Sequence, residues 1–422
     1  MESIEIAVIG AGLAGLCAAR DLRELGHQVV VLEARDRVGG RTFSAPFDAA
    51  GCTVDLGAEW VAPQHHLAVM SELKRYAIEL DAPDAGAATV ASDSHDLTPD
   101  LQRLLAHCDQ LAADIDIHRP DWFSPWLRHD VSLAEFLADF LLDGDASCFF
   151  LAQAFALQGA APANYSMLNL LHEFAAFGGS SEAFSAAEYR IAGGAQSLAD
   201  AIAGETQQTI WLKWPVESIA STEDGVLITG PAGAVVAKVA IIALPVNVLR
   251  FIELDIPVTE AALDVIRCGH VGRAAKGWAA ATFETPPESI GWPQAVEVYA
   301  RRGARAGAVC TFAVADPNHA DALSASWHAL ETRDPDMTLL EATLSHDWVE
   351  DPYARGTWLS AAPGQFQGFK DLADTPPPCV FVGGDISRRW YGWMEGAITS
   401  GRDGADRVHQ FLEHGRCLLA NG

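Results

Sequence analysis

The 422-residue sequence predicts a two-domain α/β fold in which a nucleotide-binding domain with a parallel sheet is interleaved with a mixed-sheet and helical domain. Three observations predict it. The chain opens with a strand, glycine turn, helix and strand in "IEIAVIGAGLAGLCAARDLRELGHQVVVLEARDRVGGRT". A second strand that runs into a glycine pair and an acid, "VFVGGD", returns near the other end. The length also exceeds the roughly 250–300 residues that one hydrophobic core usually serves.

The elements follow in order. Residues 4–9 are a β-rich apolar run, residues 13–25 carry apolar side chains at helical spacing, Gly26 ends that helix, and residues 28–32 are a second apolar run. This unit has the length a right-handed parallel crossover needs. From about 96 to 190 the pattern is mostly helical, as in "SLAEFLADFLL" and "YSMLNLLHEFAAF", with loops marked by Pro120, Pro125 and Pro162. Strand signals then return. "TIWLKWPVESIAST" and "GVLITG" read as a hairpin pair and "AKVAIIALPV" as a buried strand. Residues 274–359 mix strands with a helix-like "MTLLEATLSHDWVED". The tail gives a strand in "PPPCVFVGGDI" and a closing helix in "GAITSGRDGADRVHQFLE".

Composition excludes several function classes. Twenty-eight Lys and Arg against 56 Asp and Glu give a formal charge of −28, which disfavours nucleic acid and anionic membrane surfaces as partners. The eight cysteines lie too far apart for a CxxC or other close metal spacing and read as mostly buried thiols in a reducing compartment. No apolar run is long enough to span a bilayer, and the first one is already a strand, so a cytoplasmic location is expected. A homodimer is left open.

The glycines specify a dinucleotide. Gly10 allows the tight turn, Gly12 lets the backbone approach a pyrophosphate, and Gly15 lets the helix pack on the strand with its N-terminus facing the phosphates. Glu33 ends the second strand 23 residues after Gly10, where a carboxylate accepts the ribose hydroxyls and repels a 2′-phosphate. Past it, "ARDRVGGR" adds Arg35, Gly39, Gly40 and Arg41, and "VFVGGD" adds Gly384 and Asp385. FAD is long enough to need such a second set of contacts, so these residues favour FAD over NAD.

Here the residues resemble those of the flavin-containing amine oxidases of the monoamine and polyamine oxidase type, most densely at residues 6–60 and in "VFVGGDISRRWYGWMEGAITSGRDGADRV" at 380–408. The resemblance implies a discontinuous Rossmann-like FAD-binding domain, 1–75, 190–265 and 376–422, and a substrate-binding domain, 76–189 and 266–375. It implies that Met394 lies beside the flavin and that the Val216 backbone holds the adenine. It also implies a reaction in which a neutral amine gives hydride to flavin N5, an imine forms and dioxygen is reduced to hydrogen peroxide. Read alone, Lys276 in "GHVGRAAKGWAAATFE" could equally be a strand-end lysine reaching solvent. The resemblance makes it the lysine that holds a water at N5. Trp358 and Trp393 would form the aromatic walls that flank the amine. Thr357 stands where the monoamine oxidases carry a cysteine bonded to the flavin, which implies non-covalent FAD.

For the substrate, the resemblance implies that an amino acid oxidase of this superfamily would carry an arginine for the carboxylate just after the "GA" that precedes Trp60; "DLGAEWVAPQHH" has none, which disfavours an α-carboxylate. This stretch, with Trp60, His65 and His66, resembles most the bacterial (S)-6-hydroxynicotine oxidase branch. By that resemblance Asn169 and Tyr299 would contact the substrate ring, although an Asn bonded within its own helix or to a neighbouring loop is an equal reading of Asn169. Phe184 and Glu188 are further pocket expectations. His172 and Glu173 read as structural or surface groups, with no third ligand in sight and no metal expected.

Overall fold

The structure is a computed structural model that describes residues 2–81, 98–186, 189–206, 209–287, 289–315, 318–334 and 336–420. At its centre the apolar run Glu2–Ile9 pairs in parallel with Val29–Leu32 on one side and Gly233–Ile242 on the other, with Ile6 opposite both Val29 and Val239. Near-continuous β-branched sequence suits strands covered on both faces. Cys379–Phe381 adds in parallel beside Gly233–Ile242, with Ala240 opposite Cys379. On one flank Gly225–Gly230, Ser218–Thr222 and Glu253–Asp255 continue the sheet, and Ile210–Trp211 closes the other flank. Eight strands from three distant stretches of chain thus share one sheet.

The helix Leu13–Glu24 packs against the long closing helix Met394–Ala420. Their approach is close enough that a Cβ at Gly401 would lie 2.2 Å from the Ala14 carbonyl. A second sheet of five antiparallel strands runs Ser289–Ile290, Glu297–Arg302, Gly307–Val314, Ala274–Thr282 and Thr338–Ser345. The helices Pro99–Ala112, Gly144–Gln158 and Met167–Phe177 supply a third, helical layer, built on fully buried Phe150, Phe155 and Phe174.

Two sequence expectations change. The helix-like "MTLLEATLSHDWVED" contains the strand Thr338–Ser345, antiparallel to Ala274–Thr282. A register shift between Ala279 and Ala281 leaves Leu339, Ala342 and Leu344 as its partly buried side chains. The bulge therefore creates a spacing of three that imitates a helix. The long hairpin strand expected across 209–222 is also divided. Ile210–Trp211 pairs in parallel with Val29–Leu32, and only Ser218–Thr222 forms the hairpin with Gly225–Gly230. Lys213 at φ +57° and Pro215 turn the chain between them.

Candidate active site

One deep cavity, about 1790 Å³ counting its open mouth, runs from the glycine turn to the edge of the five-stranded sheet. At its first end Gly10 adopts φ +103°, and a Cβ there would sit 2.6 Å from the Ala243 carbonyl. A Cβ on Gly15 would lie 2.0 Å from the Gly10 carbonyl, so strand and helix meet backbone to backbone. Around Gly12 the space is open, with nothing within 4 Å of a built Cβ. The helix that follows has no side-chain cap, and Gly12, Leu13 and Ala14 line the cavity. Its first amide groups are therefore available to an anion.

Glu33 is buried, with Oε2 accepting the Ala11 amide at 2.7 Å and Oε1 the Arg35 amide at 2.8 Å. Burial raises its pKa above the ordinary carboxyl value, and those two amides work against the rise. Arg35 pairs with Asp351 at 2.7 Å and lies over the Tyr353 ring. Gly40, at φ +57°, comes within 3.4 Å of Gly12 through a built Cβ. Val216, Gly384 and Met394 also line the cavity. Arg41 lines it too, donating to Thr357 O and to Asp385 Oδ1 at 2.7 Å. Asp385 is buried beside the lining residue Gly384, where it holds Arg41 and also accepts the Val246 amide.

At the far end, Lys276 on Ala274–Thr282 is 5% exposed, and its Nζ donates to Glu59 Oε2 at 2.6 Å and to Gly57 O at 3.0 Å. Burial, the largest single influence, would lower its pKa, but Glu59, Cys310 and Asp55 together outweigh it and the ammonium is held above its ordinary value. Trp60, Phe312, Trp358 and Trp393 complete this end. The Trp358 Nε1 donates to Leu157 O at 2.6 Å, and the Trp393 Nε1 donates to Glu173 Oε1 at 2.8 Å. The two indole segments touch, since a Cβ on Gly392 would lie 3.2 Å from that of Trp358. Trp60 stacks edge-on against Tyr299, and its buried Nε1 has no hydrogen-bond partner among the described residues.

Three of the expected substrate contacts are not among the residues that line the cavity. Asn169 lies outside the lining, its Nδ2 donating to Ala361 O at 2.8 Å and its Oδ1 accepting the Ala361 amide at 3.1 Å. It is a clamp between helix and loop. Phe184 packs among Phe149, Phe150 and Phe174. Tyr299 is behind the lining, with its hydroxyl donating to Glu59 Oε2 at 2.5 Å. Glu188 lies outside the described residues. Sequence reading missed Glu59 as a site residue, although an acid beside an apolar "DLGA" was a signal, and it left Glu173 as a bystander. His172 is buried between Trp122 and Tyr391, neutral with a pKa lowered by burial to about 3. Among the described residues no group of three or more His, Cys, Asp or Glu could hold a metal, and no helix is long and apolar enough to cross a membrane.

The cradle fits a flavin dinucleotide: open space at Gly12, uncapped helix amides, the acid Glu33 in the cavity wall at the end of the second strand, and a cavity long enough to reach the indoles. The comparisons agree. A family model described as flavin containing amine oxidoreductase matches residues 13–409. The chain is 26% identical over 447 residues to pseudooxynicotine dehydrogenase of a Pseudomonas species, covering 96% of this chain and 86% of that protein. It is 29% identical over 426 residues to (S)-6-hydroxynicotine oxidase of Paenarthrobacter nicotinovorans, covering 93% and 96%. In fold it resembles wild-type putrescine oxidase bound to putrescine, with a TM-score of 0.81 at 23% identity over 97% of this chain and 99% of the other. The chain belongs to the flavin-containing amine oxidoreductases, enzymes that act on amines with FAD as cofactor.

Proposed function

We propose that this protein is an oxidase of a secondary or cyclic amine carried on an aromatic or heteroaromatic ring, with (S)-6-hydroxynicotine as the first substrate to try. The observation that carries the reading is that Lys276, Glu59, Trp358 and Trp393 face the same cavity as the glycine cradle. When bound, the flavin supplies the two-electron acceptor. The residues of the chain do the rest. The indoles offer apolar faces that strip water from an amine and aim its α-carbon. The Lys276 ammonium has donated to Glu59 and Gly57 and keeps a further N–H for a water at the reacting end. The wide indole lining and the likeness to (S)-6-hydroxynicotine oxidase support a flat ring. Asn169 and Tyr299 do not add to that support. The two sheets, one drawn from residues 2–32, 210–255 and 379–381 and the other from 274–345, support the proposed division into FAD-binding and substrate-binding domains.

The test is anaerobic addition of a panel of cyclic and linear amines to the yellow protein. Bleaching by heteroaromatic cyclic amines ahead of primary diamines supports the reading; bleaching by diamines alone would overturn it. A second reading is favoured by the name of pseudooxynicotine dehydrogenase, namely transfer of electrons to an acceptor other than dioxygen. Stoichiometric hydrogen peroxide under air supports the oxidase.

A further inference from the structure

We propose that Glu173 is a positioning residue that fixes the indole of Trp393 and, through Gln158, ties it to the support of the Trp358 wall. The inference rests on the reading that these two indoles flank the substrate amine. Glu173 is an acid in the apolar helix Met167–Phe177, and it has no salt bridge among the described residues. A buried carboxyl in such a place requires compensation by hydrogen bonds. Both its oxygens are used. Oε1 accepts the Trp393 Nε1–H at 2.8 Å, and Oε2 accepts the Gln158 Nε2–H at 2.5 Å.

Gln158 is the last residue of the helix Gly144–Gln158. Its neighbour Leu157 accepts the Trp358 Nε1–H, and its own Oε1 faces the Ser360 hydroxyl at 3.4 Å. Gly159 ends that helix at φ +60°, and a Cβ there would lie 2.7 Å from the Trp358 ring. One helix end therefore supports both walls, directly for Trp358 and through the carboxyl for Trp393. An indole N–H with a fixed acceptor loses its freedom to swing.

A backbone carbonyl would satisfy an indole N–H, as it does at Trp358, whereas a carboxyl can also change its charge. Burial pushes the Glu173 carboxyl up to about 8, while the bonds from Trp393 and Gln158 oppose the rise. The titratable groups around it do not compete. Tyr165 is buried with its pKa raised well above the ordinary value, and His172 on the same helix is neutral. On the Trp393 segment, Tyr391 is pushed up to about 12 and bonds Trp122, Arg388 is paired with Asp374, Arg389 contacts His118, and Glu395 accepts the Ala68 and Val69 amides. Ionisation above pH 8 would convert the bond to Trp393 into a charge-assisted one.

The experiment uses FAD-loaded protein with ¹⁵N-labelled tryptophan side chains, the Trp393 Nε1–H resonance being assigned by its loss in Trp393→Phe. In the parent protein that resonance should titrate near pH 8. In Glu173→Gln it should stay hydrogen-bonded but no longer titrate, and in Glu173→Leu it should move to the position of a free indole N–H. With an amine that bleaches the flavin, Glu173→Leu should slow reduction about tenfold with flavin content kept, and Glu173→Gln should restore most of the rate without the pH-dependent limb. A Trp393 resonance unmoved in Glu173→Leu would overturn the inference, as would flavin lost equally from both variants. If instead the resonance behaves as expected but Trp393→Leu reacts at the parent rate, the positioning stands and the reading of the walls fails.

Discussion

Lys276 shows how a single residue can be marked by sequence and explained only by its partner. Side chains of Lys276 and Glu59 are 6% and 1% exposed, so each charge is held in the interior by its opposite, with the buried Arg190 3.9 Å from Glu59 as a further cation. Removing one partner of such a pair typically costs about 3–5 kcal/mol. Lys276→Met should therefore lower the urea midpoint, and Lys276→Met with Glu59→Leu should lower it less than the two single effects added together. The same Lys276→Met, with flavin retained, should slow reduction or reoxidation about a hundredfold in stopped-flow traces, the scale of a positioned proton-handling group. Asn169 makes the opposite case. It donates to and accepts from Ala361, whose carbonyl also accepts the Ser166 amide, so Asn169→Ala leaves the buried Ala361 amide unpaired, and about 1–3 kcal/mol of stability should be lost with the Michaelis constant nearly unchanged.

At the scale of elements, the contact of the first strand with the first helix decides whether a cofactor can be held. A side chain at Gly15 would collide with the Gly10 carbonyl at 2.0 Å, and that carbonyl cannot retreat because Gly10 is bonded to Leu32 and abuts Ala243. Gly15→Val should yield protein without the flavin absorbance band. Gly15 is a glycine because two backbones meet there, whereas Gly12 faces open space that a ligand would fill. The strand Thr338–Ser345 escaped sequence reading at this same scale, because a bulge in its partner altered the spacing of its inward side chains.

Across the whole molecule, buried titratable groups set the pH range of stability. Burial lowers His66 and His172 to about 3 and His270 to about 4. The unfolded chain binds those protons near pH 6.5 and the folded chain does not, so stability is full above that value and falls as the pH drops through it. Each such histidine contributes a slope of up to about 1.4 kcal/mol per pH unit. His172→Phe should thus raise the urea midpoint at pH 5 more than at pH 8. Glu297 works in the other direction. Burial and the nearby Glu59 charge raise it to about 7, so the folded chain keeps a proton that the unfolded chain releases above about pH 4.5, and stability declines as pH rises towards 7. Glu297→Gln should help more at pH 8 than at pH 5. The flavin itself, with Thr357 in place of a bonding cysteine, should leave the polypeptide on acid denaturation and appear in the filtrate.

The sequence by itself determined the nucleotide cradle, because Gly10, Gly12, Gly15 and Glu33 act within one contiguous strand–helix–strand unit whose spacing is local. It determined the family through the dense motif at 380–408, and it pointed to Lys276, Trp358 and Trp393 through matched segments. Only the tertiary structure set Asn169 against Ala361, Phe184 among Phe149, Phe150 and Phe174, and Asp385 against Arg41. It alone brought Glu59 to Lys276 across 217 positions and Glu173 to Trp393 across 220. The physical reason is that a buried charge is tolerated only beside its partner, and the fold, not the local pattern, chooses which distant residue that partner will be.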